Sequence, residues 1–534
     1  MSIGSQRKKL LSESHQVNTP VSRAMKKNSR WKIFFIAWAV FSFMAGLWTI
    51  ATPISAAPDE PAHIIKAASV ALGQFVGAAT SNGQRVDVPA YIAFTPAQTC
   101  YAFNDTVTAN CAPVESGNLG ALVSSTTSAG LYNPVYYLLV GWPSLVFHDD
   151  AGIYAMRFMS GIIASIFLAL AVMMISTWTR RLIPLLGLAV ASTPMVLFLN
   201  GVVNPNSLEI TATLAAFVGV LSIVLHRRDA LTTERCVIVL ISAAVAVNTR
   251  GISPLWVGVA LFAPLLLAPW PRVRGIIKIR SVQIMVVGVG LATGAALLWT
   301  ALSNSLGTGP TTASASTIVT GTGIPPGAAF LKILMGTFQY GQGLVGVFGW
   351  LDTPVPDGVF FLWSVFIGLS VLAAVILLTG RPLAFVLIMA ALLVVLPPLT
   401  QALYAPAGGI IWQGRYVLAL YACVMVGAAA VLGLRFPPPS PRIAARLSAV
   451  FCVLWSVAQF HAFVTALRRY AVGADGPGSS WQRMVLDPSW SVPGGNITVI
   501  AVFIVVFATG AILLHRLATS GSKSSRAFDN VQAR

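Results

Sequence analysis

The sequence predicts an all-α polytopic membrane protein, and three observations carry that prediction. Of its 534 residues, 56% are hydrophobic and only 9% charged, whereas a soluble domain carries about 25% charged residues. That leaves too few polar side chains to cover a water-exposed surface, and the apolar content is far too high for a disordered chain. Apolar runs long enough to cross roughly 30 Å of hydrocarbon recur along the chain. The net charge of +18 gathers in the segments between alternate runs, which is a membrane-topology pattern and not a nucleic-acid footprint.

The runs predict about twelve transmembrane helices at 31–54, 152–177, 183–200, 207–226, 233–249, 253–270, 282–303, 358–379, 383–404, 412–434, 445–467 and 496–515. The fifth is the weakest, because its apolar stretch stops at Asn248, Thr249 and Arg250. The first ends on small residues, Ser55 and Ala57, that would suit signal cleavage. Its apolar core exceeds the roughly 7–15 residues of a signal peptide, so it reads as an anchored helix. A basic tail (1–30), a transmembrane domain (31–516) and a C-terminal tail (517–534) follow as the organisation.

Charge sets the expected orientation. The first 32 residues hold eight Lys and Arg, which places that end in the cytoplasm. Counting spans from there, 25 of the 34 basic residues fall on the cytoplasmic side, accompanied by four acids. Both termini are then cytoplasmic, and a bacterial plasma membrane is the expected location. Two further apolar segments, 134–147 and 328–349, would invert every later basic cluster if either crossed alone. Both read as lying at the outer face, the first being too short to span.

The largest outer loop is 55–151, with smaller ones at 304–357 and 468–495. Gly307–Gly327 is rich in Gly, Thr, Ser and Pro and predicts a mobile loop. Cys100 and Cys111 share the large outer loop, an oxidising location, and are expected to form a disulfide. Cys236, Cys423 and Cys452 fall inside spans as small apolar residues.

Chemistry concentrates after the first span, in Ala57-Pro-Asp-Glu-Pro-Ala-His63. Prolines 58 and 61 fix the backbone, and 62–76 predicts a short amphipathic helix. Asp59 and Glu60 can serve that helix as N-cap and first-turn acid. Two carboxylates held at a bilayer surface also suit a general base beside a second acid. His63 stands one turn further on, either assisting or capping the helix face. Tyr132, Tyr136, Tyr137 and Trp142 match an aromatic belt over a second interfacial helix. Two acids alone do not specify a metal, so no cofactor is certain and a divalent cation stays open. No Walker motif, dinucleotide fingerprint, HExxH or serine elbow is present.

The order of helix, acidic pair, interfacial helix, long loop, aromatic helix and Arg-bearing span resembles the GT-C membrane glycosyltransferases, which use lipid-phosphate-linked sugars. More narrowly, Pro58-Asp-Glu-Pro-Ala-His63, Asn204-Pro-Asn206, Phe348-Gly-Trp-Leu-Asp352 and Gln413-Gly-Arg-Tyr416 look like a bacterial family catalogued as domain of unknown function 2142. The likeness runs from about 35 to 430. It implies a GT-C-like bundle with interfacial helices in its first outer loop, and an acid of that loop, Asp59 or Glu60, as catalytic base. Asn133-Pro-Val135 replaces the Lys or His before Pro-Pro that many relatives carry.

Ionisable residues within spans are costly and are functional candidates by default. Arg250, Arg415, Lys332 and Arg157 are stranded from the cytoplasmic pattern, and guanidinium groups bind phosphate oxygens in a bidentate fork. Each can instead snorkel or pair with a structural acid. Glu209 is available for such pairing, and Asp352 and Tyr416 join the candidates for substrate binding. The leading expectation is an extracytoplasmic glycosyltransferase moving a sugar from a polyprenyl-phosphate carrier to a cell-envelope glycan, lipid or protein. A multi-pass transporter or lipid flippase, and a non-catalytic scaffold, are the alternatives. Membrane lipids are expected partners and nucleic acid is not.

Overall fold

A computed structural model of the chain describes residues 27–226, 230–305, 322–437, 439–476 and 478–532. The basic tail before residue 27, Arg227, Arg228, Asp229 and most of the Gly/Thr-rich loop lie outside the described residues, as do the tail side chains of Lys523, Arg526 and Arg534.

Inside hydrocarbon every peptide group must be satisfied within the protein, so each apolar run becomes a helix. The first span is α1 (Lys27–Ala51). The large loop follows with α2 (Glu60–Ala71), α3 (Ala90–Ala93) and α4 (Val135–Gly141). Then come α5 (Asp150–Ser176), α6 (Leu182–Ala191), α7 (Pro194–Asn200), α8 (Asn206–Leu225), α9 (Thr232–Val247), α10 (Ser253–Phe262), α11 (Trp270–Ile277) and α12 (Arg280–Ser303). The remainder is α13 (Pro326–Met335), α14 (Thr337–Val345), α15 (Asp357–Leu377), α16 (Gly380–Gly408), α17 (Leu418–Arg435), α18 (Pro441–Val472), α19 (Trp481–Leu486) and α20 (Asn496–Gln532).

Among the described residues nine helices are long and apolar enough to cross a membrane, or ten if α6 and α7 count as one bent span. This corrects the expected twelve. The run 183–200 is not one straight helix: it breaks at Ser192–Thr193 and turns by 65°. Thr193 caps the second half through the Val196 amide, and Pro194 occupies its first turn. The runs 233–249 and 253–270 form only α9, of 16 residues, and α10, of 10 residues continued by a 3-10 turn. At 1.5 Å per residue neither reaches the roughly 30 Å of a full span. They form a pair, so the chain returns to the same end whether or not they count.

Segments 134–147 and 328–349 are not among the helices long and apolar enough to span. The first is α4 with a 3-10 turn over Trp142–Leu145, the second α13 and α14. The first long loop also contains a three-stranded antiparallel sheet that helical periodicity did not reveal. It comprises β1 (Ala78–Thr80), β2 (Gly83–Pro89) and β3 (Leu122–Thr127), with Val86 opposite Ser125. A two-residue ribbon pairs β4 (Val347–Phe348) with β5 (Thr353–Pro354).

Burial sorts the helices. The apolar windows of α8 and of the α17 segment are each 94% buried, while that of α12 is 11% buried and faces lipid. The interior therefore sits around α8 and α17. At one end Arg30 bonds Glu234 at 2.8 Å, Arg435 reaches the Leu377 carbonyl and Arg181 that of Leu517. At the other end the first loop packs on α5, and Asn204 before α8 and Arg415 before α17 bond its Pro58 carbonyl.

Candidate functional site

Within the 52–58 stretch between α1 and α2 the backbone is irregular, yet seven consecutive carbonyls, Thr52 to Pro58, all accept hydrogen bonds. Arg157 serves Thr52 at 2.6 Å and Pro53 at 2.8 Å. Tyr101 serves Ile54, the Trp350 indole Ser55, and Tyr470 Ala56. The Glu60 amide serves Ala57, and Asn204 and Arg415 share Pro58. Irregular buried backbone persists only where the protein satisfies it in this way.

The turn ends on Asp59, whose φ of 62° places it in the left-handed region. A non-glycine residue there costs on the order of 1–3 kcal/mol, a strain that clusters at functional sites. The conformation also decides where the side chain goes. Asp59 makes no N-cap bond to α2; its Oδ2 accepts from Arg415 Nη2 at 2.5 Å. The carboxylate is half exposed, at 51%, while Arg415 is 2% exposed.

Arg415 belongs to the 3-10 turn Gly414–Val417 that leads into α17. A Cβ on Gly414 would lie 2.1 Å from the Tyr340 carbonyl oxygen, so only glycine brings the turn this close. Tyr416 then lies between two cations: Arg250 sits 4.5 Å and Arg415 5.3 Å from its ring centre. Arg250, in the break between α9 and α10, is steered by Glu209 at 3.3 Å. Glu209 in turn accepts from Ser253 at 2.6 Å and Asn206 at 3.2 Å. Arg250 and Tyr416 line a cavity of about 590 Å³ with Tyr132, Trp299, Tyr404 and Trp412.

Electrostatics follow the geometry. Burial pushes the Asp59 carboxyl up, but Arg415, His63 and Arg250 outweigh it and hold its pKa below the ordinary value. Burial and the two arginines push His63 down to about 3 against the pull of Asp59, so it is neutral at physiological pH. Its Nδ1 is hydrogen-bonded to the Tyr137 hydroxyl at 2.9 Å.

The structure thus brings Asp59, His63, Arg250, Arg415 and Tyr416 together. It sets the other candidates apart. Glu60 and Arg157 are both fully buried and bonded to each other twice, at 2.7 and 2.6 Å. Glu60 also accepts from the Val203 amide, so the pair is saturated and cannot meet a substrate. With Glu60 committed to Arg157 and Asp59 to Arg415, the two acids do not make the metal pair left open by the sequence. No group of three His, Cys, Asp or Glu among the described residues could hold a metal. Asp352 is held by Arg469 at 3.1 Å, the Phe103 amide and Thr353. Lys332 is exposed on α13 and makes no ion pair among the described residues. Cys100 and Cys111 are disulfide-bonded.

Sequence reasoning missed Arg469 and the second role of the tyrosines. Tyr132 and Tyr137 flank His63, with ring centres 5.8 and 6.0 Å away, instead of forming only a belt. The available signal was four motifs spread over the chain: all of them converge on the 54–60 turn. Asn204 holds Pro58, Trp350 holds Ser55, and Arg415 holds Pro58 and Asp59. Asn133 lines the cavity and bonds Asn248 at 2.9 Å.

A family model described as a predicted membrane protein, DUF2142, matches residues 41–424. No curated protein and no solved structure matches the chain.

Proposed function

The chain belongs to the DUF2142 family of predicted membrane proteins, and from that premise we propose that it is a glycosyltransferase of the bacterial plasma membrane. The basic residues orient the Asp59 end of the bundle outward, with both termini in the cytoplasm. The donor is a polyprenyl-phosphate-linked sugar and the acceptor a hydroxyl of a cell-envelope glycan, lipid or protein.

One observation carries this reading. Arg415 is buried at a half-open carboxylate, its Nε has no hydrogen-bond partner, and a second arginine shares its tyrosine at the wall of an aromatic cavity. A buried guanidinium with a spare donor suits an incoming phosphate oxygen. The aromatic walls suit the polyprenyl chain.

In the reaction the acceptor oxygen attacks the anomeric carbon. The bond from that carbon to the phosphate oxygen breaks, and polyprenyl phosphate leaves with the electron pair. Asp59 takes the hydroxyl proton. At rest Arg415 makes Asp59 a weak base, because the neighbouring cation favours the ionised form. Phosphate oxygens reaching Arg250 and Arg415 share that positive charge, so donor binding raises the basicity of Asp59. Arg250 and Arg415 also stabilise the departing phosphate.

The test is sugar transfer by the purified protein in lipid nanodiscs from a labelled polyprenyl-phosphate sugar, with Asp59→Asn beside it. Transfer lost in the variant supports the assignment; undiminished transfer removes the base. Substrate counterflow in liposomes without sugar transfer would favour a transporter, and an unchanged cell envelope with Asp59 and Arg415 both replaced would favour a scaffold.

A further inference from the structure

Three consecutive carbonyls just before Asp59 are held by three aromatic donors from distant parts of the chain. Tyr101 OH donates to Ile54 at 2.5 Å, Trp350 Nε1 to Ser55 at 2.9 Å, and Tyr470 OH to Ala56 at 3.3 Å. Each donor adjoins one arm of a single buried cluster centred on Arg469.

Arg469 lies in the last turn of α18 at 1% exposure. Its Nη1 donates to the Val107 carbonyl at 2.7 Å, and its Nη2 to Tyr101 at 2.7 Å and Asn104 at 2.9 Å. Those three carbonyls lie in the loop that the Cys100–Cys111 disulfide closes. Nη2 also meets Asp352 at 3.1 Å, and Asp352 accepts the Phe103 amide of the same loop at 3.1 Å. Gly349, at a φ of 63°, provides the turn that carries Trp350 and Asp352 to this point. The disulfide loop, the 349–353 turn and the end of α18 are therefore locked to one guanidinium, and each presents one aromatic donor to the 54–56 backbone. Ser55 itself has a left-handed φ of 67°, a conformation that needs such restraint.

We propose that Arg469, with Asp352 and the disulfide loop, is a clasp that positions Asp59 against Arg415. Arg469 is a positioning residue: it touches neither Asp59 nor the cavity and acts through Tyr101, Trp350 and Tyr470. Opening the clasp frees the 54–56 carbonyls, and the left-handed turn at Asp59 then loses its fixed relation to Arg415. The inference rests on Asp59 being the working carboxylate, and its test is independent of sugar transfer.

The test uses the full chain with Asp59→Cys as a reporter, since the other free cysteines, Cys236, Cys423 and Cys452, are buried. Labelling by a membrane-impermeant maleimide is followed against pH. With the clasp intact, Arg415 and Arg250 hold the introduced thiol below the ordinary value of about 8.5, so labelling has a low midpoint. Adding Tyr470→Phe, which removes one oxygen, moves the midpoint up. Adding Cys100→Ala with Cys111→Ala, or Arg469→Gln, moves it further, with thiolate reactivity at neutral pH changing by about five- to tenfold, the worth of one or two net hydrogen bonds. An unmoved midpoint in Tyr470→Phe and the double cysteine variant overturns the clasp. A midpoint at the ordinary cysteine value with the clasp intact would instead remove the Arg415 contact on which the functional reading stands. Absent sugar transfer with a moving midpoint would leave the clasp standing and remove only the enzyme.

Discussion

Asp59 and Glu60 are neighbours in the chain, and each pairs with an arginine from far away, yet they live in opposite physical regimes. The Glu60–Arg157 pair is fully buried, bidentate and saturated by the Thr52, Pro53 and Val203 backbone. The Asp59–Arg415 pair is open on the acid side and leaves Arg415 Nε without a partner. A saturated buried pair fixes geometry and has no bonding capacity left for a ligand. An under-satisfied pair is where a ligand gains most. The difference separates scaffold from site by a single peptide bond, and it can be broken by experiment.

The largest expected effect is on the open pair. Asp59→Asn keeps an acceptor for Arg415 and removes the base, so transfer should fall about 10²–10⁴-fold. The folded protein should lose no more than about 1 kcal/mol, because the carboxylate is half exposed. In the wild type the acidic limb of the kcat/KM profile, which reports the donor-free protein, should lie below the ordinary carboxylate pKa, since the cations around Asp59 overcome its burial. A kcat/KM limb above that value would mean that Arg415 does not hold Asp59 in the donor-free protein.

The sealed pair should show the reverse. Glu60→Ala leaves the Arg157 guanidinium buried without its counter-charge, at a cost of about 3–5 kcal/mol. Thermal unfolding in detergent and the yield of folded protein are the measurements. A Glu60→Ala protein that folds normally and loses only activity would reverse the two roles.

Arg250→Lys tests how the cavity reads its ligand. The lysine keeps the charge but loses the planar group that stacks 4.5 Å from Tyr416. The expected loss is about 10- to 100-fold in kcat/KM, the worth of a charge-assisted hydrogen bond of ~1.5–3 kcal/mol. Arg157→Lys should instead lower stability. Equal activity losses without a stability difference would erase the distinction between the pairs.

Much of this division was visible in the sequence, but its decisive step was not. Composition and apolar run length indicated the membrane bundle, and stranded cations pointed to Arg250 and Arg415. The proline-flanked acids were found as a pair. Nothing in the residue types says that Asp59 takes a left-handed φ while Glu60 opens α2 facing inward, because that choice is made by contacts with Asn204, Arg415 and Arg157. Arg469 was missed for a related reason: apart from Asp352 its partners are carbonyls of the 101–107 loop, and backbone acceptors have no residue type. The short α9 and α10 were overcounted because apolar periodicity runs past the Asn248–Ser253 break, where Asn248 and Thr249 turn their side chains back onto the helix carbonyls.

The smallest effect concerns the buried neighbour of the open pair. Tyr137→Phe removes the hydroxyl bonded to His63 Nδ1 and should cost about 1 kcal/mol. His63 also gives the site an acid limit. Its pKa is about 6.5 in the unfolded chain and is pushed down to about 3 in the fold. Between those values the unfolded chain binds the extra proton, so stability falls as pH drops from 6.5 towards 3. Asp59, lowered below its ordinary value, keeps its contribution until the more acidic part of that window. Unfolding temperatures measured from about pH 7.5 to about pH 4.5 should therefore decline in the wild type and decline less in His63→Phe. If the two curves run parallel, His63 is not buried neutral beside Asp59, and the open pair lacks the dry wall on which its electrostatics depend.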